Sequence, residues 1–316
     1  MRFYQAWGLL SLIFPIAAIA APKDLPYPLQ TELSADEIIA QVYFVNHFYA
    51  FKNYGITQQG NAITIVIKRQ NDGILATNTV ERFLNNGYND GIIKARDLAI
   101  FRSGSLRGTG LLITEYEDDN KSSSYVIWIP TQRRLRRFAE PAQEDAWSGS
   151  DFTFGDVYLR KPSHETHELQ GQETYANCLG VMEIKSNERN EFMQNLPLAS
   201  CLPKGRPVYK IKSTAKFEHW WYDYRISYVD TETFADYRTD YFKDGNHIKF
   251  IERDWHTAPG YQGKDPRALS WGYWYGKDLA NGHESWAVIP KNVVTFDDPN
   301  LEESLWTEKT LSKIRN

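Results

Sequence analysis

Residues 63–290 read as a run of short segments, each alternating apolar and polar positions, parted by turn signals. A period of two marks a strand with one buried face. Ile63, Ile65 and Ile67 alternate with Thr64, Val66 and Lys68. Asn71-Asp72-Gly73 then supplies a hairpin turn, and 77–84 reads as the returning strand. Further strands are expected over 98–102, 111–116, 125–129, 134–138, 168–170, 180–184, 206–213, 222–230, 234–242, 247–253, 271–275 and 283–290. Lys243-Asp244-Gly245-Asn246 makes a second clear hairpin. Consecutive strands on short turns predict an antiparallel meander, a mainly β fold without alternating βαβ units.

Before the strands, the period is that of a helix. Ser34 and Glu37 have the spacing of a capping box. A helix is expected from there to about Asn53, stopped by Gly55. Its apolar positions Ile38, Ile39, Val42, Phe44, Val45, Phe48, Tyr49 and Phe51 cover more than one stripe. A helix lying flat on a sheet needs only a narrow apolar face. This one is expected to be enclosed, held in the hollow of a curved sheet. Residues 298–314 are expected to hold only short helix.

The N-terminus reads as an export signal over 1–20. Arg2 precedes an apolar stretch from Trp7 to Ile19, and Ala18-Ile19-Ala20 offers a cleavage site after Ala20. The stretch is shorter than the ~20 residues that span a bilayer. Residues 21–33, with Pro22, Pro26 and Pro28, read as an extended lead-in. Export predicts a periplasmic location. There the two cysteines, Cys178 and Cys201, are expected to pair, the alternative being two buried thiols. The segment between them and the loop 255–267 interrupt the meander.

At 42% the apolar residues suffice for a core, which argues against disorder. A net charge of −4 gives no reason to expect a nucleic-acid partner. No Gly-x-Ser-x-Gly, phosphate-cradling glycine loop or Cys-x-x-Cys occurs, so neither an enzyme nor a cofactor is expected. His164-Glu165-x-His167-Glu168 is the one candidate for metal. Its histidines are three apart in an extended stretch, so they point to opposite sides, and no metal site is assigned. A metal-dependent hydrolase therefore ranks below a binding protein.

One region carries more than β grammar. RGTGLLITEY begins at Arg107-Gly108; YVIWIPTQRRLRR follows from Tyr125; SGSDFTFGDV contains Gly149-Ser150-Asp151-Phe152 and Asp156. This order resembles the outer-membrane lipoprotein-sorting family, the broad LolA-like group. RISYVDTETFADYRTDYFKDGNHIK, from Arg225, is similar as well. The resemblance implies an incomplete, strongly curved antiparallel β barrel with helices packed in its concave face. It would form one domain over 34–316, with insertions near 187–204 and 255–267. It also implies a periplasmic carrier of a lipid or lipoprotein acyl chain, working between an inner-membrane exporter of the resistance-nodulation-division type and an outer-membrane acceptor. A ligand-sensing module of the same fold is the alternative.

On that reading the cavity lining would be Phe44 and Phe48 from the helix. The strands would add Ile63, Ile65, Ile67, Leu111, Ile113, Ile127, Ile129 and Phe234. The same residues would otherwise fill a closed core. Arg134 and Arg136 share one strand face and would meet lipid phosphate, or else guard a sheet edge. Trp255, Tyr261, Trp271, Tyr273, Trp274 and Tyr275, with Trp220 and Trp221, are expected to form a ligand rim or to pack a β edge.

Overall fold

The computed structural model describes residues 23–30, 32–70, 73–157 and 160–314. The export signal, 1–20, lies outside the described residues.

The capping box forms at Ser34. Its amide donates to Glu37 Oε2 at 2.8 Å, and the Glu37 amide donates to Ser34 Oγ at 3.3 Å. The helix it starts, α1 (Ala35–Asn46), stops well short of Asn53. Phe48 takes a left-handed backbone conformation, φ 54°, which ends the helix. Its ring then stacks on Tyr54 at 4.6 Å. That break frees residues 49–52 from the expected helix, and β1 (Asn53–Ile56) begins where the helix was expected to end.

Next come β2 (Thr64–Arg69), β3 (Leu75–Asn85), β4 (Ile93–Phe101), β5 (Gly110–Tyr116), β6 (Ser124–Ile129) and β7 (Arg134–Phe138). A crossover follows, containing the one-turn helix α2 (Phe154–Val157). The second series is β8 (Glu165–Thr174), β9 (Pro207–Ala215), β10 (Tyr224–Asp230), β11 (Asp236–Lys243), β12 (Asn246–Thr257), β13 (Leu269–Asp278) and β14 (Glu284–Val288). The short β15 (Val294–Phe296) and α3 (Glu308–Leu311) end the described chain.

These strands form one antiparallel sheet in the order β7-β6-β5-β4-β3-β2-β14-β13-β12-β11-β10-β9-β8, with β1 between β3 and β15. Two meanders are thus joined through β2 and β14, and the sheet stays open between its edges β7 and β8. It is the incomplete, strongly curved barrel that the resemblance implies. Because β7 and β8 are opposite edges, the segment joining them crosses the sheet, as its described residues 139–157 and 160–164 do.

The two faces are covered differently. The inner face receives α1: Phe48 meets Trp271 edge-on at 4.6 Å, and Asn46 donates to Asp236. The outer face of the second meander lies under the segment tied by the Cys178–Cys201 disulfide. Leu179, Met182 and Met193 are buried there with Ile65, Ile67 and Trp286. Ser200 N–H donates to Tyr273 Oη, and Asn190 to Thr77 Oγ1. Residues 180–184, expected as a strand, belong to this irregular cover. The outer face of the first meander is capped by Trp306 and Leu311, packed with Leu98, Leu112 and Val126. The second interruption is shorter than expected, since Trp255, His256 and Thr257 complete β12.

Candidate ligand-binding site

Cross-strand pairing sets out the inner face. Trp274 pairs with Ala287, Ala287 with Val66, Thr64 with Val80, Arg82 with Ala99, and Ala99 with Leu111. Trp271 joins this row because a bulge skips Gly272, putting Trp271 and Trp274 on one face. Large rings stand here beside the small side chains of Ala99 and Ala287. Between them is an apolar cavity of about 70 Å³, lined also by Ile56, Val80, Trp147, Phe152, Val157 and Ile289.

The crossover provides the outer wall of this cavity. Ser148 and Gly149 are both left-handed, φ 55° and 66°, so the chain turns sharply back over the sheet. Lys68 Nζ donates to Ser148 O at 2.8 Å. Ser285 Oγ accepts from the Asp151 amide at 2.9 Å and donates to Asp151 Oδ2 at 2.7 Å. Phe152 then drops onto Trp274, edge to face at 5.7 Å. Asp156 is fully buried and fixes the far end, bound by Arg160, Lys249 and Tyr241 Oη. Burial alone would raise its carboxyl, but Lys249 and Arg160 hold it well below the usual carboxylate range.

One ion pair faces the cavity. Arg82 grips Asp97 through Nε and Nη2 at 2.9 and 2.7 Å, and its guanidinium lies 5.5 Å from the Trp271 ring. The neighbouring half of the inner face is polar instead. There Arg225 binds Glu165 at 2.7 Å and Arg253 binds Asp236 at 2.8 Å, both pairs buried.

The expected lining residues separate on this map. Leu111 lines the cavity. Ile113 and Ile127 belong to the same inner apolar cluster, with Val66, Val80 and Ala99. Ile129 sits further along β6, half-buried, opposite Arg134. Phe48 reaches the cavity only through Trp271. Ile65 and Ile67 point to the opposite face, beneath the disulfide-tied cover, and Ile63 is buried just before their strand. The alternation was read correctly, but both faces of β2 are covered, so the isoleucines mark the outer one. Phe44 packs away from the sheet, under the Arg267 guanidinium at 3.9 Å. Phe234 is buried in the turn between β10 and β11, beside Tyr27.

Of the motif residues, Gly149, Ser150, Asp151 and Phe152 build the crossover wall. Arg107 is exposed beside Gly108, whose φ of 77° makes the turn into β5. Arg134 and Arg136 are exposed on the edge strand β7, where Arg136 bonds Gln132. Among the aromatics, Trp271 and Trp274 line the cavity, whereas Tyr273 and Tyr275 face the cover. His167 bonds Ser213 and the Pro162 carbonyl, while His164 packs on Phe217 and Trp220. Among the described residues no group of three or more His, Cys, Asp or Glu is gathered to hold a metal ion. Val66, Val80, Ala99, Ala287 and the Arg82–Asp97 pair line the cavity without having been expected from the sequence. The alanines carry no signal in a single sequence, because a cavity is made by what is missing.

A family model described as "Uncharacterized protein" matches residues 94–195. No curated protein matches the sequence. Solved structures match well in shape at low identity. A DUF1329 family protein from Desulfovibrio piger has a TM-score of 0.64 at 13% identity, covering 89% of this chain and 100% of that one. An outer-membrane lipoprotein-sorting protein domain from Vibrio parahaemolyticus has a TM-score of 0.62 at 12% identity, covering 88% and 98%. A LolA superfamily protein from Nitrosomonas europaea has a TM-score of 0.50 at 11% identity, covering 88% and 100%. With its open, curved antiparallel sheet and its inner helix, this chain has the LolA-like fold.

Proposed function

We propose that this protein is a periplasmic carrier that shelters the acyl chain of a lipid or lipoprotein on the inner face of its sheet. It would pass that cargo from an inner-membrane exporter of the resistance-nodulation-division type to an outer-membrane acceptor. The observation that carries the reading is the apolar cavity between the sheet and the crossover. Its walls are mainly aliphatic and aromatic, and Arg82 and Asp97, which face it, bind each other. Each methylene moved there from water contributes ~0.8 kcal/mol, so five contribute roughly 4 kcal/mol.

The cavity volume, about 70 Å³, is far below the roughly 300 Å³ of a small ligand pocket. It accommodates only part of an acyl chain, and full occupancy requires a wall to move. The crossover is the wall built to do so. It is held by polar contacts at Ser148 and Asp151 and by Phe152 against Trp274, with its far end pinned at Asp156. A carrier must release what it binds, and a wall that opens and recloses serves both steps.

The test is solvent extraction of the protein purified from periplasm, followed by mass spectrometry of the extract. Lipid in near-stoichiometric amount supports the reading. An empty extract, together with no uptake of a fluorescent fatty acid, removes it.

A further inference from the structure

A second recess, of about 190 Å³, opens on the same face next to the apolar cavity. The two share walls. On β5, Leu111 borders the first and Glu115 the second, with Ile113 between them on the same side. At ~3.3 Å per residue, Leu111 and Glu115 stand about 13 Å apart along the strand. On the crossover, Val157 borders the first and Gly155 the second.

The second recess differs in chemistry. Glu115, Asn120, Ser122, Gln143, Lys161 and His164 line it, beside the aromatic rings of Tyr43 and Tyr125. Most of its charges are already engaged. Lys161 lies 3.5 Å from Asp119 Oδ1, Glu140 accepts from the Ser123 amide, and Lys121 sits over the Tyr116 ring. The Glu115 carboxyl group makes no hydrogen bond or ion pair among the described residues, though its backbone is paired within the sheet. Gln143 Oε1 and His164 Nδ1 are buried without hydrogen-bond partners. Unpartnered polar atoms of this kind are costly in a closed structure and are free to meet a polar group from outside. Burial pushes the Glu115 carboxyl up to about 7, with Asp97 acting in the same direction and Lys94, Arg82 and Lys161 opposing it. Tyr43, from α1, faces the same space and is uncharged.

We propose that this recess holds the polar end of the same amphiphile whose acyl chain occupies the apolar cavity, and that Glu115 selects a headgroup bearing a primary ammonium. A primary ammonium supplies positive charge and N–H donors together, to a carboxylate and to neighbouring amide and imidazole acceptors. A quaternary ammonium brings the charge without the donors. The proposal rests on the carrier reading and adds the headgroup class to it.

The experiment is displacement of a bound fluorescent fatty acid by two lysophospholipids of equal chain length, one with ethanolamine and one with choline. The wild type is expected to prefer the ethanolamine form by about tenfold, the scale of one charge-assisted hydrogen bond. Glu115→Gln, nearly isosteric, is expected to remove the preference of ethanolamine over choline in a variant that still binds the fluorescent fatty acid. Equal displacement by both lipids in the wild type, or an undiminished preference in Glu115→Gln, overturns the proposal and leaves the carrier reading in place. If the fluorescent fatty acid does not bind the wild type at all, the carrier reading fails and this proposal falls with it.

Discussion

The ring of Phe152 stands where a side chain on Gly276 would have to go. A Cβ placed on Gly276 would lie 2.8 Å from Phe152 Cε1, closer than such atoms approach. The two residues are far apart in sequence, and their contact seats the crossover on β13 beside Trp274. Gly276→Val is therefore expected to lift Phe152 off the sheet. Overpacking of this kind costs about 1–3 kcal/mol. A urea titration reads the loss, and Phe152→Ala in the same background should restore part of it by clearing the clash. Additive losses from the two substitutions would contradict the contact.

Acid is expected to unfold the protein steeply below about pH 4.5. Glu165 is buried, which by itself would raise its carboxyl, yet Arg225 holds it down to about 2. A depressed carboxylate stabilises the fold above its unfolded value, near 4.5, and that contribution is lost as pH falls toward 2. The contribution is on the order of 3 kcal/mol. Asp156 acts in the same direction. His47, pushed down to about 3 by burial and by Lys94, adds a loss beginning near 6.5. Glu115, raised to about 7, opposes it between about 4.5 and 7, because the folded state there holds a proton the unfolded one has released. The steep part should thus be confined to the acid side. Unfolding midpoints measured from pH 7 to 2 check this. Arg225→Met should lower stability by roughly 3–5 kcal/mol at pH 7 and flatten the acid slope.

Much of the fold was legible because its signals are local. The strand alternation, the capping box at Ser34 and the Gly149–Phe152 turn each reside in a few consecutive residues. The end of α1 was not legible. Phe48 and Tyr49 continue the apolar pattern, and the left-handed turn there is held by distant residues: Phe48 stacks on Tyr54, and Asn86 Nδ2 donates to the His47 and Phe48 carbonyls. The orientation of β2 was not legible either. Ile65 and Ile67 look like cavity lining, but the disulfide-tied segment covers them, and the plainer Thr64 and Val66 face the space. A strand buried on both sides gives no sequence sign of which side faces a ligand.

That arrangement separates stability from binding. The Cys178–Cys201 bridge fastens a cover on the outer face, while the cavity lies on the inner one. Replacing both cysteines with serine is expected to cost about 2–5 kcal/mol in a denaturant titration. Fatty-acid affinity, measured at a temperature where the variant is still folded, should change little. A large drop in affinity at full folding would mean that the cover reaches the binding site.

In the proposed carrier an acyl chain lies against Trp271 and Trp274. The direct measurement is quenching of tryptophan fluorescence by a fatty acid brominated along its chain, compared with the unbrominated acid. Saturable quenching is expected in the wild type, falling sharply in a Trp271→Phe, Trp274→Phe double variant still able to bind the acid. Quenching of equal depth in that variant, or none in the wild type, would contradict this placement of the chain.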